Sequence, residues 1–445
     1  MRTFYLLVVA QAVSLVGTHV TGFSLSVWMY QTTGSITLYG AVLVSSILPG
    51  IVVAPLGGVL TDRWNRRLTM LVGHAGGGIC ALALALAYQA DVLTIHLIVP
   101  LLMMKSAFEM ITTLAFSAST AALVPADRLD RANGLAQLGG GVAQLASPAM
   151  AGVLLPLIGV GGIFVIDLVS FVYAVAVLIW LRMPEAKKSA PSWRSPRAFL
   201  REAAAGFWYL RGQPGLVGMA IVVSFDTFAI SAVQFLFAPL VLSFASLREL
   251  GFASSLAGVG LLVGSLVLSV RGGPRRRVAG LLGFIAAQGS VLLIAVAKPS
   301  VALATVGAFG VFALMPFIMG GAQTLWQRTV PIELQGRTFA FRMMLEQTVL
   351  TVATVIAGPL SDWVFEPLMA PGGALAHALG PVMGTGKGRG VALLIALLGI
   401  SIIAASVLAR LHRPLLALDD AHPSTGPAPT SGPAAPAVED PPREP

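Results

Sequence analysis

Long apolar runs separated by short polar breaks fill most of the chain. They fall near residues 4–30, 38–61, 68–88, 92–117, 133–158 and 161–182. Six more follow near 214–243, 250–270, 278–297, 299–325, 338–363 and 389–411. Each reaches the ~20 residues that a helix needs to cross a bilayer. Barrel strands would be half as long and would alternate in polarity, whereas a helix satisfies its backbone groups within one segment. The pattern therefore predicts an all-α membrane protein of twelve transmembrane helices. It divides into a six-helix half over 1–182, a connector over 183–213, a second six-helix half over 214–413 and a tail over 414–445. The connector is charged and contains proline, with an amphipathic run through Phe199, Phe207 and Trp208 expected to lie on the membrane surface. From His422 onward the tail is rich in Pro, Ala and Ser, a composition expected to stay disordered. The first run, Thr3 to Tyr30, exceeds a signal-peptide core and is expected to be retained as a span.

Composition agrees with this layout, since 56% of the 445 residues are hydrophobic and only 11% are charged, with a mean hydropathy of +0.85. Soluble domains carry roughly 25% charged residues. A net charge of +9 and a pI near 10.2 raise the question of nucleic acid, but the basic residues sit in alternate loops. Arg63, Arg66, Arg67, Arg128, Arg131, the connector, Arg275 to Arg277, Arg328, Arg337, Arg410 and Arg413 fall on one side. Arg248, Lys298, Lys387 and Arg389 fall on the other. That asymmetry is the positive-inside pattern, and it places both termini and the connector in the cytoplasm. The lone Cys80 cannot form an internal disulfide and is expected to pack.

The two halves repeat at an offset of 206 positions (330 minus 124). Val124-Pro125 recurs as Val330-Pro331, Arg131 as Arg337, Ala151-Gly152 as Ala357-Gly358, and Gly58 as Gly264. Two six-helix units of parallel topology follow, an arrangement that puts substrate near the midplane between them and moves one unit against the other.

Gly58-Val-Leu-Thr-Asp62-Arg63-Trp-Asn-Arg66-Arg67, between the second and third spans, resembles the signature loop of the major facilitator superfamily, with Asn65 in place of the usual glycine. The resemblance implies that Gly58, Asp62, Arg63, Arg66 and Arg67 latch the two halves. Pro148-Ala-Met-Ala-Gly152 is similar to the proline-glycine motif of the family's antiporters, with Ser147 where glycine is expected. Gln31-Thr-Thr-Gly-Ser35, Val330-Pro331 to Gly336-Arg337, and Ala357-Gly-Pro-Leu-Ser-Asp362 leading to Phe365-Glu-Pro367 resemble the branch that includes the enterobactin exporter and the macrolide efflux proteins. This likeness implies an exporter in a bacterial inner membrane, moving small amphipathic molecules such as siderophores, macrolides, peptides or drugs by alternating access. A lysophospholipid flippase of the same fold is the alternative. A non-transporting membrane sensor or enzyme ranks last, because no nucleophile with a base and no metal or nucleotide motif appears.

Ionisable groups inside a span each cost about 2.5–3.5 kcal/mol at a helix centre. Lys105 and Glu109 lie mid-span, four residues apart, on one helix face where they can neutralise each other. His19 and Asp226 lie halfway along the first and seventh spans. The resemblance puts the first, fourth, seventh and tenth helices around the central cavity, with Met315, Met319 and Gln323 on the tenth. Burial favours the neutral carboxyl and a nearby ammonium the charged one. Glu109 and Asp226 are accordingly expected to carry protons, assisted by His19 and tuned by Lys105. Asp167 and the Arg342–Glu346 pair are expected to be structural. Gly384-Thr-Gly-Lys387-Gly-Arg389 lacks the spacing of a phosphate loop. The expected partners are a small-molecule substrate, protons and the lipid bilayer, with no nucleic acid, cofactor or metal, and the protein is expected to act as a monomer.

Overall fold

The structure, a computed structural model, describes residues 2–46, 65–124, 129–181 and 208–419. The first half contains α1 (Arg2–Thr33), α2 (Ile36–Ser45), α3 (Arg66–Gln89) and α4 (Ile95–Leu123). The spans expected near 133–158 and 161–182 form one helical segment, Leu129–Trp180, interrupted at Gly159 with φ 64° and ψ −179°. Unbroken, its 52 residues would run about 78 Å, more than twice the ~30 Å hydrocarbon core. Glycine without a Cβ adopts that positive φ readily and divides the segment into α5 (129–158) and α6 (160–180).

The second half comprises α7 (Pro214–Leu242), α8 (Leu247–Arg271), α9 (Arg277–Ala295), α10 (Val301–Thr329), α11 (Ile332–Leu360) and α12 (Arg389–Ala409). Ten helical stretches among the described residues are long and apolar enough to cross a membrane. Counting α5 and α6 separately and adding the short apolar α2 gives the twelve helices of the expected fold.

The same neighbours recur in each half. Helix α1 packs on α6 as α7 does on α12; α3 packs on α4 and α6 as α9 does on α10 and α12; α2 packs on α4 as α8 does on α10. Val124 and Val330 end α4 and α10 in extended conformation, each donating its N–H to a carbonyl four residues back at 3.1 and 3.0 Å. Proline at the next position disfavours helix for the residue before it. The repeat seen in the sequence is thus a repeat of helix ends and packing. Large apolar side chains such as Ile79, Leu157, Trp180, Leu262 and Val270 point outward, as a lipid-facing surface requires.

The polar tail begins later than expected. Arg413–Leu416 forms a helical turn and Ala417–Asp419 a 3-10 turn. Leu415 is buried, and Asp419 accepts from the N–H groups of Val278 and Ala279 at 2.8 and 3.4 Å. An acid at the exposed N–H groups that open α9 holds the segment, so residues 414–419 belong to the second half. Residues 183–207, including Phe199 and Phe207, and 420–445 lie outside the described residues.

Candidate functional site

A cavity of about 370 Å³ lies against the second half. Helices α7 to α10 and α12 supply most of its wall, through residues such as Phe237, Ala257, Val296, Ala308 and Met315; Phe23, Tyr39 and Pro148 close it from the first half. Its lining contains no Asp, Glu, Lys, Arg or His. The polar side chains in it are Tyr39, Gln234 and Ser254. Apolar walls with a few hydrogen-bonding groups suit a small amphipathic ligand.

The ionisable residues gather elsewhere, inside the first half. Lys105, 2% exposed, is ion-paired and hydrogen-bonded to Asp167, 0% exposed, across from α4 to α6, and its ammonium stands 5.3 Å from the centre of the Phe171 ring. Lys105 is therefore not neutralised by Glu109, one turn along its own helix; Asp167 is the partner that the four-residue spacing does not reveal. Glu109 is half-buried, within electrostatic reach of both, and makes no ion pair among the described residues. His19 on α1 also lies within electrostatic reach of Lys105. Gly17 makes room for the pair, since a Cβ there would stand 2.6 Å from Ser170 Oγ and 3.1 Å from Asp167 Oδ1. A second histidine, not singled out from sequence, lies close by: His74 is 3% exposed, its Nδ1 3.4 Å from Ser14 Oγ and its ring against Phe171. Its one visible signal is a lone imidazole in an apolar, glycine-rich helix.

In the second half, Asp226 is 6% exposed, and its Oδ1 is buried without a hydrogen-bond partner. Among the described residues it makes no ion pair, unlike Asp167. Met315 lines the cavity. Met319 is 54% exposed and is not among the lining residues. Gln323 accepts from Arg342 at 2.6 Å, and Arg342 also donates to Glu346 at 2.6 Å and stacks near Trp326. Among the described residues no three His, Cys, Asp or Glu side chains come together as a metal ion would need.

Of the expected gating residues, Gly58, Asp62 and Arg63 lie outside the described residues. Arg66 opens α3. Arg67 donates to the Leu178 and Ile179 carbonyls at 2.8 and 2.6 Å, tying α3 to the end of α6. Asn65, in the place of the family's glycine, caps α3 by accepting from the N–H groups of Arg67 and Leu68. Pro148 lines the cavity, and Gly152 sits where α5 crosses α8: a Cβ on it would meet Gly251 Cα at 2.6 Å and the Leu247 carbonyl at 3.0 Å. Its repeat partner Gly358 sits where α11 crosses α2, with Thr37 Cα at 3.1 Å and the Ile36 carbonyl at 3.2 Å. Exchanging the halves maps one crossing onto the other, so the repeat-related glycines hold the two halves together at the end of the bundle that carries Gly34.

A family model for the major facilitator superfamily matches residues 7–354. The chain belongs to the major facilitator superfamily. Macrolide efflux protein A of Streptococcus pyogenes is 25% identical over 378 residues, covering 81% of this chain and 89% of that protein. The enterobactin exporter EntS of Shigella dysenteriae is 28% identical over 367 residues, covering 80% and 78%. Among solved structures, a bacterial homologue of the human lysosomal transporter Spinster matches with a TM-score of 0.60 at 15% identity over 94% of this chain and 96% of that one. A D-xylose–proton symporter matches with a TM-score of 0.64 at 16% identity over 91% and 96%. At these identities the solved structures speak for the fold alone.

Proposed function

We propose that the protein is a secondary active exporter that carries a small, uncharged or weakly polar amphipathic molecule out of the cytoplasm by alternating access, in exchange for protons. The observation that supports it most is the uncharged 370 Å³ cavity between the halves, in a chain whose relatives include named macrolide and enterobactin efflux proteins. The basic loops put the terminal end of the bundle in the cytoplasm. The Gly34 end then faces outward across a bacterial inner membrane, with the protein working as a monomer. Glu109 and Asp226 serve as proton carriers, because both lie mid-span without an ion-pair partner among the described residues, while Asp167 is taken by Lys105. One proton driven by 100 mV supplies about 2.3 kcal/mol, enough for a gradient of somewhat under 100-fold in neutral cargo. His19 assists Glu109 from α1. Lys105 tunes it from one turn away.

Two measurements test this. In a deletion strain, intracellular accumulation of one metabolite or heightened sensitivity to one drug is expected. Unchanged profiles with altered phospholipid turnover would point instead to a lysophospholipid flippase. In vesicles carrying a pH gradient, Glu109→Gln and Asp226→Asn are each expected to abolish proton-driven accumulation of that cargo. Full activity in both variants ends the proton assignment.

A further inference from the structure

The two crossings at the Gly34 end are related by the repeat, but their chemistry is not. At the α5–α8 crossing the N-terminus of α8 is capped from within its own helix: Ser246 and Glu249 form a capping box, with Ser246 N–H donating to Glu249 at 2.7 Å and Glu249 N–H to Ser246 Oγ at 3.3 Å. At the α2–α11 crossing the cap comes from the other half of the molecule. The carboxylate of Asp362, on the π turn Ser361–Phe365 that continues α11, accepts from the Ile36 N–H at 3.1 Å and the Thr37 N–H at 2.8 Å. It also accepts from the hydroxyls of Ser35 at 2.9 Å and Thr37 at 2.7 Å. The position related to Asp362 by the repeat is residue 156 (362 minus 206), which is Pro156. One crossing therefore takes its carboxylate from the opposite half, and the other from its own helix.

We propose that Asp362 is a latch that holds the Gly34 end of the transport path shut. A carboxylate over the first N–H groups of a helix gains from charge-assisted hydrogen bonds and from the helix dipole together. All four donors belong to the first half and the acceptor to the second, so separating the halves here breaks every bond at once. The group is half-buried and beside solvent, so water can replace the lost donors when the end opens. That distinguishes it from the enclosed Lys105–Asp167 pair, whose separation would strand two charges in an apolar interior. Around the latch, Tyr30 donates its hydroxyl to the Pro239 carbonyl at 3.3 Å, and Tyr39 packs on Phe235, adding neutral contacts between the same halves.

The inference rests on the alternating-access reading, and the test separates the two. A reporter Gln234→Cys in the cavity is labelled with a membrane-impermeant maleimide in right-side-out and inverted vesicles, and cargo efflux is measured separately in protein that keeps Gln234. Asp362→Asn is expected to raise labelling from the Gly34 side by about tenfold or more. Thr37→Val, which removes one donor, should raise it less, and Glu249→Gln at the self-capped crossing should leave it unchanged. Unchanged labelling in Asp362→Asn overturns the latch. If that variant does not fold, unchanged labelling in Thr37→Val does so. Raised labelling in a protein that exports nothing would keep the latch and remove the exporter, whereas efflux with unaltered labelling would do the reverse.

Discussion

The two halves share a packing scheme and divide the chemistry. In the first, Lys105, Asp167, Glu109, His19 and His74 populate the middle of the helices around Phe171. The second supplies most of an apolar cavity wall, with Asp226 buried and Gln288 turned to the Val311 carbonyl at 3.2 Å. What persisted through the duplication is what packing demands: the helix neighbours, the Val-Pro helix ends and the glycines at the crossings. The difference puts the Lys105–Asp167 pair in one half and most of the cavity wall in the other.

Removing a charge from each half should have opposite effects. Lys105→Met leaves Asp167 buried and uncompensated, which costs about 3–5 kcal/mol. The purified variant should melt far below the parent or fail to accumulate. Adding Asp167→Leu removes the stranded charge and should restore the melting temperature. Asp226→Leu, by contrast, deletes a carboxyl whose Oδ1 lacks a hydrogen-bond partner among the described residues and should leave stability level or higher. Equal losses for Lys105→Met and Asp226→Leu in a thermal melt would erase the distinction between the halves. A second probe keeps the fold and fills the space: Ala308→Phe in the cavity wall should cut efflux by about tenfold or more without lowering the melting temperature, as a blocked site requires.

The crossings give a graded version of the same question. A methyl on Gly152 would lie 2.6 Å from backbone carbon, where nothing can yield, while one on Gly358 would lie at 3.1 Å. Overpacking costs about 1–3 kcal/mol. Gly152→Ala should therefore sit near the top of that range and Gly358→Ala near the bottom, read as melting temperatures. Reversal of that order would mean that the two crossings are not held as the repeat implies.

The outline of the molecule could be read from its sequence because the bilayer leaves so little choice: about 20 apolar residues per crossing. The repeat was legible for a similar reason, since Gly152 and Gly358 are fixed by close backbone approach. Side-chain partners were another matter. Four-residue spacing offers Glu109 to Lys105, but the lysine reaches Asp167, 62 positions away, because α4 leans on α6 within the first half. Gln323 is engaged by Arg342 for the same reason, and nothing along one helix could reveal it. The Arg342–Glu346 pair, by contrast, was legible because both residues share a helix face. Residues 414–419 are held on the second half by buried Leu415 and by Asp419 at the start of α9, contacts that nothing along the local sequence reveals.

The smallest expected effect concerns the caps. Replacing an N-cap serine by alanine costs about 0.5–2 kcal/mol where the serine is the main acceptor for the helix's first N–H groups. At α2 it is not: Ser35 accepts from the Leu38 N–H at 3.2 Å, but Asp362 already takes the N–H groups of Ile36 and Thr37. Ser35→Ala should therefore lower the melting temperature less than Ser246→Ala, which dismantles the capping box of α8 from within. In an Asp362→Asn background the order should change, because Ser35 then becomes the principal acceptor left to α2 and its loss should cost more than in the parent. Groups that share one set of donors are not additive. Strict additivity of Ser35→Ala and Asp362→Asn would mean that the carboxylate and the serine act on α2 independently, and the cap supplied from the second half would lose its claim to that helix end.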